Sequence, residues 1–407
     1  MSQYDVAIVG AGLAGLRVAN LLEEQGYHCV LIEQQSKIGG AVQTECVDGY
    51  LLDKGFQVLL PAYQQASECF NYEDLNLCYL NRGANLINDD KQFALMHPKY
   101  HFFKSLSSLK DSISYIADFY QILRLCKDLK NPLDYACKQP EMSLAAFFEQ
   151  HFSDAFIKYF LAPFFSGILS DLTLQSSNRL FYFYMACFLK GGSAIPKQGM
   201  QALSDQLFYR LKSTCVLLQE SVDTLEKNTL CLASGKKIKA SHIVFACPHQ
   251  LLSQYINLPV HYSSLCTYYF ALQKPLKPNR SLHLSSCKQS LINHFVCISD
   301  VSSSYAKKGS LYSVTSLKSL DVQTNLSAIT KELAAYLDVL SHELHFIKAF
   351  PIKRVIPLSL QYQSQFLQTT HPFIHVAGDW CIQGSINGAL SSAKQCFLHV
   401  QKKLENV

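Results

Sequence analysis

The fold is decided by the stretch YDVAIVGAGLAGLRVANLLEEQGYHCVLIE, which runs from Tyr4 to Glu33. Its first part, Tyr4–Val9, is a short apolar run that predicts a buried strand. Apolar residues at helical spacing follow over Leu13–Gln25 and stop before Gly26, a residue type that commonly ends a helix. Cys29–Glu33 then predicts a second strand. The stretch therefore predicts a βαβ unit whose first turn is rich in glycine.

Three glycines in this turn, Gly10, Gly12 and Gly15, match the pattern Gly-x-Gly-x-x-Gly. In a βαβ unit the first permits a tight turn, the second lets a pyrophosphate approach the backbone, and the third lets the helix pack closely on the strand. Glu33 stands 18 residues after Gly15, where a carboxylate accepts hydrogen bonds from ribose hydroxyls. The unpaired N–H groups of the helix start favour phosphate. The pattern predicts dinucleotide binding, and the alternative is a tight turn without a ligand.

Two later segments indicate that the dinucleotide is FAD. Gly39 and Gly40 follow the second strand, where a glycine pair allows close approach to a phosphate. Near the C-terminus an apolar strand ends at Gly378–Asp379, and a turn rich in glycine and serine opens a helix at Ser385–Ile386. A carboxylate beside a helix N-terminus suits a polyol chain and a flavin carbonyl. The chain has no second Gly-x-Gly-x-x-Gly for a nicotinamide cofactor, so oxygen or a quinone is the expected electron acceptor.

These segments resemble the flavin-containing amine oxidoreductase superfamily, which includes phytoene desaturases, protoporphyrinogen oxidases and monoamine oxidases. The likeness covers the first 60 residues, a middle region that opens with GGSAIPKQGMQAL (Gly191–Leu203), and the last 35 residues. The segment FLAPFFSGILSDLTLQSSNRLFYFY is similar to one in the phytoene-desaturase-like branch. The cysteine that carries flavin covalently in monoamine oxidases has no counterpart here. The resemblance therefore implies FAD that is bound without a covalent bond.

The resemblance also implies which residues contact the cofactor. Asp53-x-Gly55-x-Gln57 is similar to the stretch that passes the flavin, and Val222 to the residue whose backbone meets the adenine. Ala41 stands where the family usually has arginine, which leaves that phosphate contact to backbone N–H groups. The expected cofactor residues are Gly10, Gly12, Leu13, Ala14, Gly15, Glu33, Gln34, Gly39, Gly40, Ala41, Gly55, Gln57, Val222, Gly378, Asp379, Ser385 and Ile386. No catalytic side chain is predicted.

The expected fold class is α/β, with a Rossmann-type FAD-binding domain and an inserted mixed α+β substrate-binding domain. The FAD-binding domain is expected to combine residues 1–60, 190–254 and 355–407, and the substrate-binding domain residues 61–189 and 255–354. Within these ranges, apolar spacing predicts helices over Met200–Ser213, around Leu326–Leu340 and from Ile386 to the end, and a strand over Phe373–Ala377.

Composition limits the classes of partner. The 407 residues are 49% hydrophobic and 16% charged, so the chain can bury a large core. A net charge of +5 without a long basic run excludes a nucleic-acid partner. Fifteen cysteines without a Cys-x-x-Cys pair favour reduced thiols in the cytoplasm. No apolar run reaches the roughly 18 residues of a membrane span, but the aromatic helices predicted within residues 100–136 can touch a membrane surface.

Several other side chains have simpler interpretations than a functional role. The histidine pairs His97/His101 and His371/His375 each enclose a proline, which disfavours a helical face that holds both rings, so no metal site is predicted. Lys353 is expected to be an exposed strand lysine. Cys381 is expected to be a packed thiol.

The first functional hypothesis is an FAD-dependent oxidoreductase that dehydrogenates or desaturates a hydrophobic organic substrate by hydride transfer to flavin N5. The Phe and Tyr side chains of the inserted regions are expected to be mostly core, and some of them to line its cavity, since hydride abstraction needs a dry and oriented site. One alternative is a flavin amine oxidase acting on a primary or secondary amine. A second is a flavin-binding sensor without enzymatic activity.

Overall fold

The computed structural model describes residues 2–96, 115–126, 129–247, 252, 262–274, 276–357, 369 and 371–405. The strands are β1 (Ser2–Val9), β2 (Cys29–Glu33), β3 (Thr44–Val47), β4 (Tyr50–Asp53), β5 (Cys78–Tyr79), β6 (Gly83–Ile87), β7 (Gln92–Met96), β8 (Ala194–Ile195), β9 (Cys215–Leu218), β10 (Val222–Glu226), β11 (Thr229–Leu232), β12 (Lys237–Phe245), β13 (Leu265–Leu272), β14 (Leu282–Ser285), β15 (His294–Cys297), β16 (Ser310–Ser316), β17 (Leu344–Ile352) and β18 (Ile374–Val376).

The α-helices are α1 (Leu13–Glu24), α2 (Gln64–Cys69), α3 (Tyr72–Leu75), α4 (Ile116–Cys126), α5 (Pro132–Lys138), α6 (Leu144–His151), α7 (Asp154–Phe156), α8 (Ala162–Leu169), α9 (Arg179–Gly191), α10 (Gln201–Phe208), α11 (Ile298–Val301), α12 (Val322–Leu337) and α13 (Ile386–Leu404). A π-helical turn at Ile157–Leu161 links α7 to α8. Within the described residues, no helix is both long enough and apolar enough to cross a membrane.

The first sheet has a parallel centre in the order β18-β12-β1-β2-β9, and the hairpin β10–β11 extends from β12. Its central strands are buried on both faces, as parallel strands covered on both sides must be. On one face Val6 and Ile8 of β1 belong to the core cluster that includes α1, and α1 lies against α13. On the other face Ala7 and Val9 pack with the β10–β11 hairpin and Trp380.

The second sheet has the order β17-β13-β16-β15-β14-β6-β7, and all its neighbours are antiparallel except β14 and β6. Alternate residues of its strands face opposite sides. The outer face, with Tyr268 and Phe270, packs against Ile329 and Leu333 of α12. The inner face, with Tyr269, belongs to the main core cluster. This sheet therefore presents one face to the interior, where the rest of the chain lies.

A layer of helices from α4 to α9 lies over that interior. Its core is a cluster of aromatic rings in edge and tilted contacts. The rings that are at most 1% exposed are Phe147, Phe148, Phe156, Phe165 and Phe181. The aromatic residues of this inserted region are thus mainly core.

The predicted fold class is confirmed, and the predicted elements agree with the structure to within a few residues. The helix predicted over Leu13–Gln25 is α1, with Gly26 in the left-handed region (φ +80°) just beyond it. The helix predicted over Met200–Ser213 is shorter, because α10 covers only Gln201–Phe208 and Cys215 already pairs with β2. Part of the predicted helical region 100–136 and His97/His101 lie outside the described residues.

Candidate functional site

The glycine-rich turn is held by the carboxylate of Glu33. Glu33 Oε2 accepts a hydrogen bond from Ala11 N at 2.8 Å, and its Oε1 accepts one from Gln35 N at 2.9 Å. Gly10 N donates to Ile32 O at 2.7 Å, so the turn crosses the end of β2. Each carboxylate oxygen keeps a second acceptor site. Glu33 is therefore a clamp for the turn, and it can still accept hydrogen bonds from ribose hydroxyls.

Two glycine segments meet at this turn. Gly12 and Gly39 form a parallel bridge, and Gly39 N donates to Ala11 O at 2.8 Å. A Cβ at Gly40 would lie 3.1 Å from the Cα of Gly12, so the two backbones are in direct contact. The structure therefore brings together the fingerprint and the glycine pair that the sequence placed 24 or more residues apart.

Protein packing explains one of these glycines but not another. A Cβ at Gly15 would lie 1.9 Å from Gly10 O, so the contact between helix and strand requires glycine there. A Cβ at Gly12 would meet no atom closer than the Cα of Gly40 at 3.8 Å, an ordinary contact distance. The protein itself therefore leaves room for a side chain at Gly12, and the close approach of a ligand would account for the glycine.

The C-terminal segment reaches the same edge of the first sheet. β1 and β18 are both parallel to β12, so α1 and α13 begin beyond the carboxyl ends of parallel strands. Ser385 caps α13, since its hydroxyl accepts a hydrogen bond from Gly388 N at 2.8 Å. Gly378 N donates to Ser392 Oγ at 2.7 Å, which fixes the segment on α13. Two helix N-termini therefore lie at one edge, where their unpaired N–H groups favour an anionic ligand.

Asp379 lies in this segment and accepts a hydrogen bond from Trp380 N at 2.9 Å. Burial raises the pKa of Asp379 to about 7. Its carboxyl group therefore keeps its proton to a higher pH than a free carboxyl group does, and a protonated carboxyl group can both donate and accept hydrogen bonds. The neighbouring Trp380 Nε1 and Gln383 Oε1 are buried without a partner in the part of the chain that the structure describes. These unpaired polar atoms are those expected where a polar cofactor chain runs past.

The remaining expected contacts lie around the same turn. Gln57 Nε2 donates to Ala41 O at 2.9 Å, which ties the Gly55–Gln57 stretch to the glycine pair. Val222 is buried, and two residues before it Glu220 N donates to Glu33 O at 3.0 Å. Leu13, Ala14 and Gln34 are placed by the same turn, at the start of α1 and directly after Glu33.

Sequence reasoning missed the environment of Asp53. Its carboxylate accepts hydrogen bonds from Thr44 Oγ1 at 2.5 Å, Met200 N at 2.9 Å and Tyr305 Oη at 2.6 Å, and its carbonyl accepts one from Tyr269 Oη. Burial raises the pKa of Asp53. Because Tyr269 belongs to the second sheet, Asp53 connects that sheet to the β3–β4 hairpin and to the start of α10. The partners are up to 252 residues away, and no local pattern could have indicated them.

A small cavity opens between the C-terminal segment and the helical layer. It has a volume of about 10 Å³, which is room for about one water molecule, and none of its lining residues is charged. Leu180 and Tyr184 of α9 form part of one wall, and the Tyr184 hydroxyl donates to Gly384 O at 3.0 Å. The other lining residues are Leu169, Ser176, Ser177, Ile356, Pro357, Ile382, Gln383 and Gly384. The cavity is thus mainly apolar and lies against the segment that includes Ser385 and Ile386.

The other side chains named from the sequence lie away from this edge or are inert. Cys381 is buried and burial raises the pKa of its thiol, as expected for a packed cysteine. Lys353 is exposed and follows the last residue of β17. His375 forms a hydrogen bond with His242 at 3.0 Å inside the first sheet, while His371 is exposed. The described residues contain no cluster of three or more potential metal ligands.

A family model described as flavin containing amine oxidoreductase matches residues 13–396 of the chain. A protoporphyrinogen oxidase of Arabidopsis thaliana is 23% identical over 175 residues, which cover 40% of this chain and 32% of that protein. The coproporphyrinogen III oxidase of Bacillus subtilis is 22% identical over 289 residues, which cover 60% of both proteins. The chain thus spans between about a third and three fifths of the length of these relatives.

Two solved structures share the fold over their whole length. A protein of Pyrococcus furiosus superposes with a TM-score of 0.71 at 14% identity, covering 98% of each chain. Putrescine oxidase bound to putrescine superposes with a TM-score of 0.63 at 15% identity, covering 98% of this chain and 99% of that one. At this level of identity the likeness establishes the fold alone.

Proposed function

This chain belongs to the flavin containing amine oxidoreductase family, and from that premise we propose that it oxidises a hydrophobic organic substrate by dehydrogenation or desaturation. Its cofactor is FAD. When bound, FAD supplies the hydride acceptor at its N5 atom. The activity, the substrate and the roles of individual residues are what we propose here.

The observation that carries the proposal is the space at Gly12. The two glycine segments, the clamp by Glu33 and the start of α1 surround a position that protein packing leaves open. We propose that the pyrophosphate lies there, and that the ribityl chain runs along Asp379 toward the start of α13. The proposed cofactor residues are Gly10, Gly12, Leu13, Ala14, Gly15, Glu33, Gln34, Gly39, Gly40, Ala41, Gly55, Gln57, Val222, Gly378, Asp379, Ser385 and Ile386.

We further propose two domains along the boundaries expected from the sequence. The first sheet uses strands from residues 2–33, 215–245 and 374–376, whereas the second uses strands from residues 83–96 and 265–352. This separation supports an FAD-binding domain of residues 1–60, 190–254 and 355–407. It supports a substrate-binding domain of residues 61–189 and 255–354. Buried, protonated Cys381 supports FAD without a covalent bond.

The uncharged residues beside the C-terminal segment support an apolar substrate over an amine. A cationic amine would need a carboxylate or several aromatic faces to offset its desolvation. The cavity has no charged residue in its lining and a single aromatic ring, that of Tyr184. The amine oxidase alternative therefore has less support, although putrescine oxidase shares the fold. A sensor without activity would not need the large helical layer that closes the cavity.

Oxygen or a quinone is the proposed electron acceptor, because the chain has one dinucleotide fingerprint only. The free cysteines support a reducing, cytoplasmic setting. We also propose that α4 touches a membrane surface, since Ile116, Tyr120 and Leu123 lie on one helical face and are 57%, 69% and 37% exposed. A surface contact of this kind would bring the protein to the phase in which an apolar substrate dissolves.

Anaerobic reduction of the purified holoprotein tests the function. Polyenes, porphyrinogens and amines are mixed separately with the oxidised protein, and the loss of flavin absorbance is followed. The proposal expects bleaching by an apolar compound. Rapid bleaching by small polar amines alone would replace it with the amine oxidase alternative, and no bleaching by any compound would favour the sensor.

A further inference from the structure

A row of buried polar side chains crosses the inner face of the second sheet. Thr267 of β13 is opposite Thr315 of β16, and Thr315 is opposite His294 of β15. The two threonines are fully buried and His294 is 5% exposed. Thr267 Oγ1, Thr315 Oγ1 and His294 Nε2 have no hydrogen-bond partner among the described residues. Because buried polar atoms are almost always partnered in folded proteins, three adjacent exceptions point to a ligand.

A chain of hydrogen bonds fixes which nitrogen of His294 carries the proton. The Ser166 hydroxyl donates to Pro163 O at 3.2 Å, so its oxygen accepts a hydrogen bond from Asn293 Nδ2 at 3.0 Å. The amide oxygen of Asn293 therefore faces His294 Nδ1, at 2.7 Å. An amide oxygen can only accept, so Nδ1 carries the hydrogen and Nε2 is left as an acceptor.

The absence of a side chain at Gly167 of α8 makes room for the hydrogen bond between Asn293 and His294. A Cβ at Gly167 would lie 2.8 Å from Asn293 Oδ1 and 2.9 Å from His294 Nδ1. The neighbouring Ser166 supplies the hydroxyl that orients Asn293. Adjacent residues of α8 thus leave space for the contact between Asn293 and His294 and orient the Asn293 amide. No pattern in the sequence links these two residues of α8 to His294.

The row lies next to the proposed cofactor stretch. The ring of Phe56 is 5.2 Å from that of His294, and Phe56 stands between Gly55 and Gln57. Gln57 in turn binds Ala41 of the glycine pair segment. His294 is therefore separated by a single side chain from the stretch proposed to pass the flavin.

We infer that His294 Nε2 accepts a hydrogen bond from an N–H or O–H group of the substrate, which is therefore an apolar molecule that carries such a donor and not a pure hydrocarbon. The inference rests on the proposed function, whose substrate class it narrows. Burial lowers the pKa of His294 to about 4, so the ring is neutral at physiological pH and its acceptor is free. The two threonine hydroxyls beside it can accept or donate to the same group.

Nitrogen NMR with labelled histidine tests the acceptor without any ligand. The His294 signals are assigned by their loss in His294→Phe. The inference expects a neutral ring with hydrogen on Nδ1 at pH 7. A ring with hydrogen on Nε2 would overturn it, because Nε2 could then only donate.

Matched probes test the ligand class by calorimetry on holoprotein that has been reduced anaerobically, so that no turnover occurs. One pair is a phenyl dipyrromethane and its N,N′-dimethyl derivative, and the other is geraniol and its methyl ether. A neutral hydrogen bond in a dry site predicts about fivefold tighter binding of the donor-bearing member of at least one pair. The preference should vanish in His294→Phe and persist in His294→Gln, which keeps an acceptor. If His294→Phe fails to fold, Asn293→Leu should weaken the preference by misdirecting the ring.

His283→Phe is the matched control, because His283 stacks on Phe295 on the outer face of the same sheet. Equal binding within both pairs, absence of binding by all four probes, or an unchanged preference in His294→Phe would each overturn the inference. The proposed function fails separately. Bleaching of the flavin by a pure polyene would support the oxidase function and show that the substrate needs no N–H or O–H donor. A preserved preference for the donor-bearing probe, with no bleaching by any compound, would support the hydrogen bond to His294 and contradict the oxidase function.

Discussion

The glycine-rich turn of the first seven-stranded sheet and the inner face of the second differ in how they pair their buried polar groups. At the edge of the first sheet, both carboxylate oxygens of Glu33 are paired with backbone N–H groups, and Ser385 and Ser392 are paired as well. On the inner face of the second sheet, Thr267, Thr315 and His294 keep atoms without partners. The arrangement around Glu33 is complete before any ligand arrives, and it holds the backbone around an open position at Gly12. Farther along the same edge, Trp380 Nε1 and Gln383 Oε1 of the C-terminal segment lack partners among the described residues. The arrangement on the inner face of the second sheet is left incomplete, as expected where the ligand supplies the missing partner.

The largest expected effect is a difference in stability between substitutions of Gly15 and of Gly12, both at the glycine-rich turn of the first sheet. Gly15→Ala places a Cβ 1.9 Å from Gly10 O, so the helix must move off the strand, and the loss of unfolding free energy should reach or exceed about 3 kcal/mol. Gly12→Ala places its Cβ at an ordinary contact distance from Gly40 and should leave the flavin-free protein as stable as the parent, yet lower its FAD content. Denaturant unfolding and the flavin-to-protein absorbance ratio measure both. Equal stability losses would remove the argument that Gly12 serves a ligand.

A pH effect should follow from the paired histidines of the first sheet. Burial, helped by His242, His399 and Lys403, lowers the pKa of His375 from 6.5 to about 3. Between these values the unfolded chain binds a proton that the folded chain does not, so stability falls as the pH falls. One such group predicts a loss of about 3 kcal/mol between pH 7 and pH 4.

Urea unfolding at several pH values measures this loss. His375→Gln should flatten the dependence, whereas substitution of the exposed His342 by Gln should not change it. Because burial also lowers the pKa of His294 to about 4, some dependence should remain in His375→Gln. An unchanged profile in His375→Gln would show that the acid sensitivity lies elsewhere.

The next largest loss of stability should come from substitution of Glu33, whose carboxylate holds the glycine-rich turn. Glu33→Gln keeps the shape of the side chain but turns one acceptor into a donor that faces a backbone N–H of Ala11 or Gln35. A hydrogen bond to a charged group contributes about 1.5–3 kcal/mol, so a loss of that size is expected in flavin-free protein, with weaker FAD binding in addition. Substitution of the exposed Glu226 by Gln is the control. If stability were unchanged while FAD was lost, Glu33 would act on the cofactor alone.

Contacts between residues could be predicted from the sequence where they are local. Gly10, Gly12, Gly15 and Glu33 stand within one βαβ unit, so their spacing fixes their geometry. The approach of Gly39–Gly40 to the turn also follows from the topology of that unit. These contacts depend mainly on backbone, which a pattern of residue types can specify.

The contacts of His294 and Asp53 could not be predicted in the same way. The chain of hydrogen bonds to His294 joins residues 127 positions apart, and Asp53 binds tyrosines 216 and 252 positions away. Each of these side chains, taken alone in the sequence, is most simply interpreted as core. The face of the sheet that strand side chains such as His294 occupy depends on the register between distant strands, and a shift of one residue would place them on the other face.

The smallest expected effect is the difference in stability between variants that remove an unpaired hydroxyl and a variant that removes a paired one. Thr267→Val and Thr315→Val replace a buried hydroxyl that has no partner by a methyl group of the same shape, so each should leave stability unchanged or raise it by up to about 1 kcal/mol. Ser385→Ala, which removes the cap of α13, should instead cost about 1 kcal/mol. Thermal unfolding of the flavin-free proteins measures all three. If the threonine variants lost as much as the serine variant, their hydroxyls would have partners within the protein, and the row would be a packed feature like the first sheet instead of a place for a ligand. If they are neutral but weaken the binding of the donor-bearing probe, the incomplete polar groups belong to the substrate and the contrast between the two sheets holds.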